Sequence, residues 1–204
     1  MMKITCIGHS GFLIEIGEVN LIFDYYTDEK SVITPEVFKG KKTCVLVSHN
    51  HHDHYNEKVF EWAKFGDVVY VLENDCKARG EALKIGVGEE ISVFDDTVYV
   101  RAYGSTDEGV SFLVSVDGVT LFHAGDLNDW HWDGEMSEAE LLEMEENYLS
   151  VLRELIGEKI DVAFIPVDPR LGGHERRGLD GFERIVDAVK IVPMHFSGNA
   201  GVEY

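Results

Sequence analysis

The segment HNHHDHYN, residues 49–56, places four histidines and an aspartate in six consecutive positions of a chain that has 9 histidines among 204 residues. It follows directly on TCVLVS, residues 43–48, whose continuous apolar character reads as a strand buried inside a sheet. The cluster therefore occupies a loop at a strand end, where side chains from several connections converge and where functional groups usually sit.

The surrounding pattern alternates strands and helices. Apolar alternation in KITCIG, GFLIEIG and VNLIFD predicts three short strands between residues 3 and 23, joined by tight glycine-containing turns. Helices are expected over 56–64 and 75–84, and strands over 91–94, 97–103, 110–116 and 119–123. Ser137 and Glu140 of SEAE form a capping box that should start a long helix running to Ile156. DVAFIP then reads as a buried strand, 179–189 as a helix and KIVPMHF as a last short strand. No fixed-period repeat or low-complexity linker interrupts the chain, so the expectation is one domain over residues 1–204, with sheets covered by helices.

Composition narrows the function classes. A formal charge of −20 repels phosphate backbones, which argues against nucleic acid as a partner. The N-terminal MMKITCIGHSGFLIEIG is broken by His9, Ser10 and Glu15, unlike a secretory signal. No apolar run approaches the ~18 residues that span a bilayer. Cys6, Cys44 and Cys76 are odd in number and sit among β-forming neighbours, as buried thiols of a cytoplasmic protein would.

Within the cluster the spacing is H-x-H-x-D-H: His49, His51, Asp53 and His54. Neutral imidazoles and a carboxylate suit zinc, and also iron or manganese. One loop cannot close two metal sites, so further ligands must arrive from distant strand ends. TLFHAGDLN ends a strand at His123 and presents Asp126 after a glycine turn, and IVPMHF ends another at His195.

With Asp24 of LIFDYY, the H-x-H-x-D-H loop, the Gly-Asp turn and the last histidine in order, the chain resembles the metallo-β-lactamase superfamily over nearly its whole length. The likeness is nearest to the short, single-domain branch that includes L-ascorbate-6-phosphate lactonase, whose members begin with a GH-S/A turn and often carry HAGD. That resemblance implies an α+β fold, a four-layer αββα sandwich. It also implies that His49 and His51 hold a first zinc, that Asp53, His54 and His195 hold a second, that Asp126 bridges them, and that Asp24 orients the ligand loop from behind.

The chain departs from the family's pattern at one position. The family places a third histidine before a GxxSF-like strand, whereas YGSTDEGVSF has Ser105 there. Serine is a poor zinc ligand, so the first site lacks a donor: it binds metal weakly, the protein uses one metal, or another histidine fills the gap, with His131 and His9 as the candidates, each also suited to orienting a ligand or touching substrate. Arg170 and His174, in the loop DPRLGGHERRG, are expected over the mouth of the site, where an arginine would bind an anionic group. The functional expectation is a hydrolase with one or two zincs, acting on a small ester, lactone or phosphoester, with Asp53 orienting or deprotonating the attacking water. The alternative is a metal-binding protein whose degenerate site serves sensing or partner binding.

Overall fold

A computed structural model of the chain describes residues 1–196. The first three apolar stretches form the antiparallel meander β1 (Met2–Gly8), β2 (Gly11–Ile16) and β3 (Val19–Phe23). β3 runs parallel to β4 (Lys42–Val47), β4 to β5 (Asp67–Glu73) and β5 to β6 (Leu83–Ile85), completing a six-stranded sheet in sequence order. A second six-stranded sheet mirrors this plan. β7 (Glu90–Val93), β8 (Val98–Tyr103), β9 (Ser111–Val116) and β10 (Val119–His123) pair antiparallel, and β11 (Ile160–Pro166) and β12 (Ala188–Met194) extend it in parallel from β10.

Inward side chains of both sheets interdigitate, with Phe12 on β2 and Phe164 on β11 4.5 Å apart between ring centroids. Burying each such ring is worth roughly 1.5–3 kcal/mol. Helices α1 (Glu138–Glu154) and α2 (Arg177–Ile185) cover the outside of the second sheet through Tyr148, Leu152 and Phe182, which are almost fully buried. The Ser137–Glu140 capping box that starts α1 is present as expected. The outer face of the first sheet is covered by 3-10 segments at Pro35–Phe38 and Glu57–Lys64, so the four layers of the αββα sandwich hold. No helix among the described residues is long and apolar enough to cross a membrane.

Local structure departs from expectation in four places. Residues 57–64 form a 3-10 helix, not an α-helix, because the side chains they bury, Val59 and Trp62, recur every third residue and make one narrow ridge. Residues 75–84 form no helix. Cys76 is the one fully buried side chain there, and Lys84 bonds the carbonyls of Glu73 and Asn74 at 3.1 Å, so no apolar stripe exists for a helix to bury. The strand Asp67–Glu73 was not anticipated, although DVVYVLE has strand composition. Finally, α2 stops at Ile185 and not at 189, because Ala188 already pairs with Ile160 on β11.

Two glycines bring the loops close to the end of β4. Gly109 has φ +72°, and an added Cβ would lie 2.1 Å from the Ser48 carbonyl oxygen and 2.5 Å from His49 Cβ. Gly125 has φ +55°, with Ser48 Oγ 3.0 Å from the same virtual position. At both positions a left-handed backbone is combined with no room for a Cβ, so glycine alone fits. Gly109→Ala should therefore destabilise the fold by at least about 2 kcal/mol, combining left-handed strain with a backbone overlap that no rotamer relieves. Urea unfolding of the variant checks this, and an unchanged midpoint would refute it.

Candidate metal centre

Most side chains of the site leave the carboxyl end of a strand that has a parallel neighbour, while His9 comes from the β1–β2 turn and Asp107 from the β8–β9 connection. Asp24 follows β3, His49 to His54 follow β4, Asp126 follows β10, Asp168 follows β11 and His195 follows β12. In open sheets this is where ligands bind.

Hydrogen bonds behind the histidines fix which nitrogen each one presents. Asp24, fully buried with φ +40°, accepts from the Ser48 amide at 2.8 Å, from Ser48 Oγ at 2.7 Å and from His54 Nδ1 at 2.8 Å. Ser48 has spent its only proton on Asp24, so at 2.9 Å it must accept from His49 Nδ1. Asp168 takes Nδ1 of His195 at 3.0 Å. All three imidazoles therefore carry a proton on Nδ1 and turn Nε2 inward.

What Nε2 faces is the Asp126 carboxylate. His54 and His195 stand 3.0 and 3.1 Å from its Oδ1, while His49 Nε2 and His51 Nδ1 stand 3.2 and 3.9 Å from its Oδ2. Nε2 of His9, His49, His54 and His195, and Oδ1 of Asp126, are buried without a hydrogen-bond partner. Lone pairs of nitrogen and oxygen directed at one another repel unless a cation lies between them. Ligands about 2.0–2.1 Å from a tetrahedral zinc are roughly 3.3 Å from one another, close to the spacing here. The residues thus fit a metal.

Proton equilibria point the same way. Burial lowers the His54 imidazole, but the Asp126 and Asp24 carboxylates against its two nitrogens outweigh it and push the pKa up to about 10. Burial raises the Asp126 carboxyl, yet His195, His49 and His54 hold it far below the usual carboxylate range. Asp24 is held at about 2, with His54 and His123 overcoming its burial. His9 goes the other way, lowered to about 3 by burial and by His195 and His54 beside it.

Asp53 Oδ2 lies 3.5 Å from His9 Nε2, and the donor atoms of His9, Asp53, His54 and His195 are all within 4.8 Å of one another. A second group, His51, Asp107 and Asp126, meets the same limit, as does His49, His54 and Asp126. His9 thus joins the Asp53 side of the centre and not the depleted first side. Ser105 Oγ accepts from the Asp107 amide at 3.4 Å and caps the turn, and it is Thr106 and Asp107 that line the cavity. His131 and His174 do not join the centre either. Both lie against Asp133, at 3.2 and 3.3 Å. His123 is structural: stacked on Phe23, it donates from Nε2 to the Ser10 carbonyl at 2.9 Å and accepts from the Gly125 amide at 3.2 Å, which steadies the turn that presents Asp126.

The centre opens into a cavity of about 590 Å³ whose wall includes Trp130, Trp132, Met136 and Arg170. Arg170 is paired with Asp168 at 2.8 Å and lies 5.7 Å from the Trp132 ring centre. Arg176 and Arg177, later in the same loop, turn elsewhere, to Asp180 at 3.0 Å and Asp129 at 2.8 Å, whereas Arg170 lines the cavity as expected. Sequence reasoning missed Ser48, Asp107 and Asp168. Asp168 carried the same signal as Asp24, a carboxylate just past a buried strand.

Asp168→Ala should free the His195 ring and weaken divalent-metal binding at the centre about 10–100-fold, the usual effect of losing a residue that orients a ligand. Competition against a chromophoric chelator measures this. An affinity equal to that of the unmodified protein would exclude the orienting role.

The model for the β-lactamase superfamily domain matches residues 3–141, more than half of the chain. A metal-dependent hydrolase of Pyrococcus abyssi is 30% identical, over 97% of this chain and 85% of that one. The structure of a metallo hydrolase from Ignicoccus hospitalis superposes with a TM-score of 0.64 at 20% identity, over 96% of this chain and 83% of that one. A diiron β-hydroxylase of Streptomyces venezuelae shares the fold with a TM-score of 0.64 at 11% identity, over 95% of this chain and 44% of that one. With the ligand order, the two facing sheets and this match in agreement, the chain belongs to the β-lactamase superfamily domain family.

Proposed function

We propose that this protein is a zinc-dependent hydrolase of a small anionic ester, lactone or phosphoester, built around two metal positions bridged by Asp126. The observation that carries this reading is the division of four imidazoles between the two oxygens of one buried carboxylate. On the Oδ1 side, Asp53, His54 and His195 would hold one ion. On the Oδ2 side His49 and His51 would hold the other, with Asp107 supplying the donor that Ser105 cannot. Imidazoles mixed with carboxylates favour zinc, and manganese or iron would use the same atoms. The kinship with metal-dependent hydrolases supports the reaction class, whereas the fold alone, shared with a hydroxylase, would not.

Zinc bound there would supply a Lewis acid for the scissile group and acidify a coordinated water. The protein's own residues do the rest. Asp53 is held ionised, its burial outweighed by His54 nearby and by a backbone hydrogen bond, and its carboxylate takes the proton of the attacking water. His9, neutral at 3.5 Å, keeps that carboxylate turned toward the centre. Arg170 binds the anionic group of the substrate, while Trp130 and Trp132 line the cavity and exclude water from its apolar part.

Two outcomes follow. Asp107→Ala should lower tightly held zinc from about two to about one per chain, with Ser105→His restoring it in the same background, by the ligand-count logic of binuclear sites. Elemental analysis after dialysis, with turnover on an ester, lactone and phosphodiester panel, tests this. Two zincs retained by Asp107→Ala would refute the role of Asp107, and zinc without turnover on any substrate would favour the non-catalytic alternative. The raised His54 pKa also sets the sign of the pH dependence. Below about 10 the metal-free site carries a proton that zinc must displace, so zinc uptake at pH 7 should release protons and affinity should climb as pH rises toward 10. Indicator-dye titration that detects no proton release would contradict this.

A further inference from the structure

His131, Asp133 and His174 form a second cluster with metal-ligand chemistry, and none of them belongs to the group around Asp126. His131 and Asp133 lie in the connection from β10 to α1, and His174 lies in the connection from β11 to α2. Nε2 of His131 and Nε2 of His174 approach the same oxygen, Asp133 Oδ1, at 3.2 and 3.3 Å. The two rings lie 3.9 Å apart at a tilt of 32°, which brings both nitrogens to one side of that oxygen. Nδ1 of His131 is buried without a hydrogen-bond partner, which leaves Nε2 as the nitrogen that meets a polar group.

We propose that these three residues form a separate site for one borderline divalent transition ion, of the zinc or nickel class, bound by two imidazoles and a carboxylate. The carboxylate-to-imidazole spacings match the roughly 3.3 Å edges of a tetrahedral zinc site, and the donor set is one that imidazole-preferring ions favour. Asp133 and His174 are partly exposed, so the ion has an entry route and keeps an open position for water. Its effect is mechanical. The β10–α1 connection carries Trp130 and Trp132 to the cavity wall, and the β11–α2 connection carries Arg170, so the ion ties together the two loops that form one side of the cavity.

The test is zinc titration of the full chain by calorimetry, comparing the unmodified protein with His131→Asn, His174→Asn and Asp133→Asn. Each variant should bind one zinc per chain fewer, or bind that zinc at least tenfold more weakly, with the zinc at the Asp126 centre unaltered. Asp133 is exposed, so its variant decides the matter even if a histidine variant misfolds. Glu135→Gln removes the same charge from a neighbouring exposed position outside the cluster and should change nothing. Unchanged stoichiometry and affinity in Asp133→Asn would overturn the proposal, as would an equal loss in Glu135→Gln, which would reduce the effect to general charge. Because the readout is a zinc lost while the central zinc stays, failure here is distinguishable from failure of the hydrolase reading.

Discussion

The rest of the site depends on one unfavourable contact: buried imidazole lone pairs directed at a buried carboxylate. Asp24, Ser48 and Asp168 hold the Nδ1 side of His54, His49 and His195, so the rings cannot turn away. Only a cation relieves the repulsion at Asp126. In the metal-free protein a proton on His54 does so, which is why its pKa is carried up against the effect of burial. A metal does so for several nitrogens at once. The fold therefore stores a site of poor internal complementarity, which a binding ion relieves.

That arrangement requires two sheets whose parallel strands end together. The meander of β1 to β3 and the meander of β7 to β10 place β3, β4, β10, β11 and β12 so that their following residues converge from both sheets. Gly109 and Gly125 then let two loops press on Ser48 with no side chain between. The core around Phe12, Phe23 and Phe164 lies beneath, and His123 links it to the site by stacking on Phe23 while bonding the Gly125 amide. Packing and metal chemistry thus share residues.

Much of this was legible in the sequence, because the candidate ligands sit beside strands whose apolar runs are unambiguous. Asp24, the H-x-H-x-D-H loop, Asp126 and His195 each follow such a run, and the structure gathers them. Candidate donors that depend on loop geometry were not legible, Asp107 among them, since a turn and not a strand decides which side chain near Ser105 reaches the cavity. His131 read as a spare ligand for the main centre and His174, 43 positions later, as a residue over its mouth, and only the two loop paths bring both to Asp133 instead. The misread helices, 57–64 with its three-residue ridge and 75–84 with no apolar stripe, are segments where tertiary contacts override local propensity.

The central claim is that the histidines around Asp126 are metal ligands and not a proton-bonded core network. Anomalous diffraction at the zinc edge, from crystals grown with zinc, tests it most directly. The account predicts one peak about 2.0–2.2 Å from Asp126 Oδ1 and the Nε2 atoms of His54 and His195, and another at that distance from Asp126 Oδ2 and His49. Density that leaves Asp126 without a metal neighbour, with its oxygens hydrogen-bonded to protonated imidazoles at saturating zinc, would contradict it.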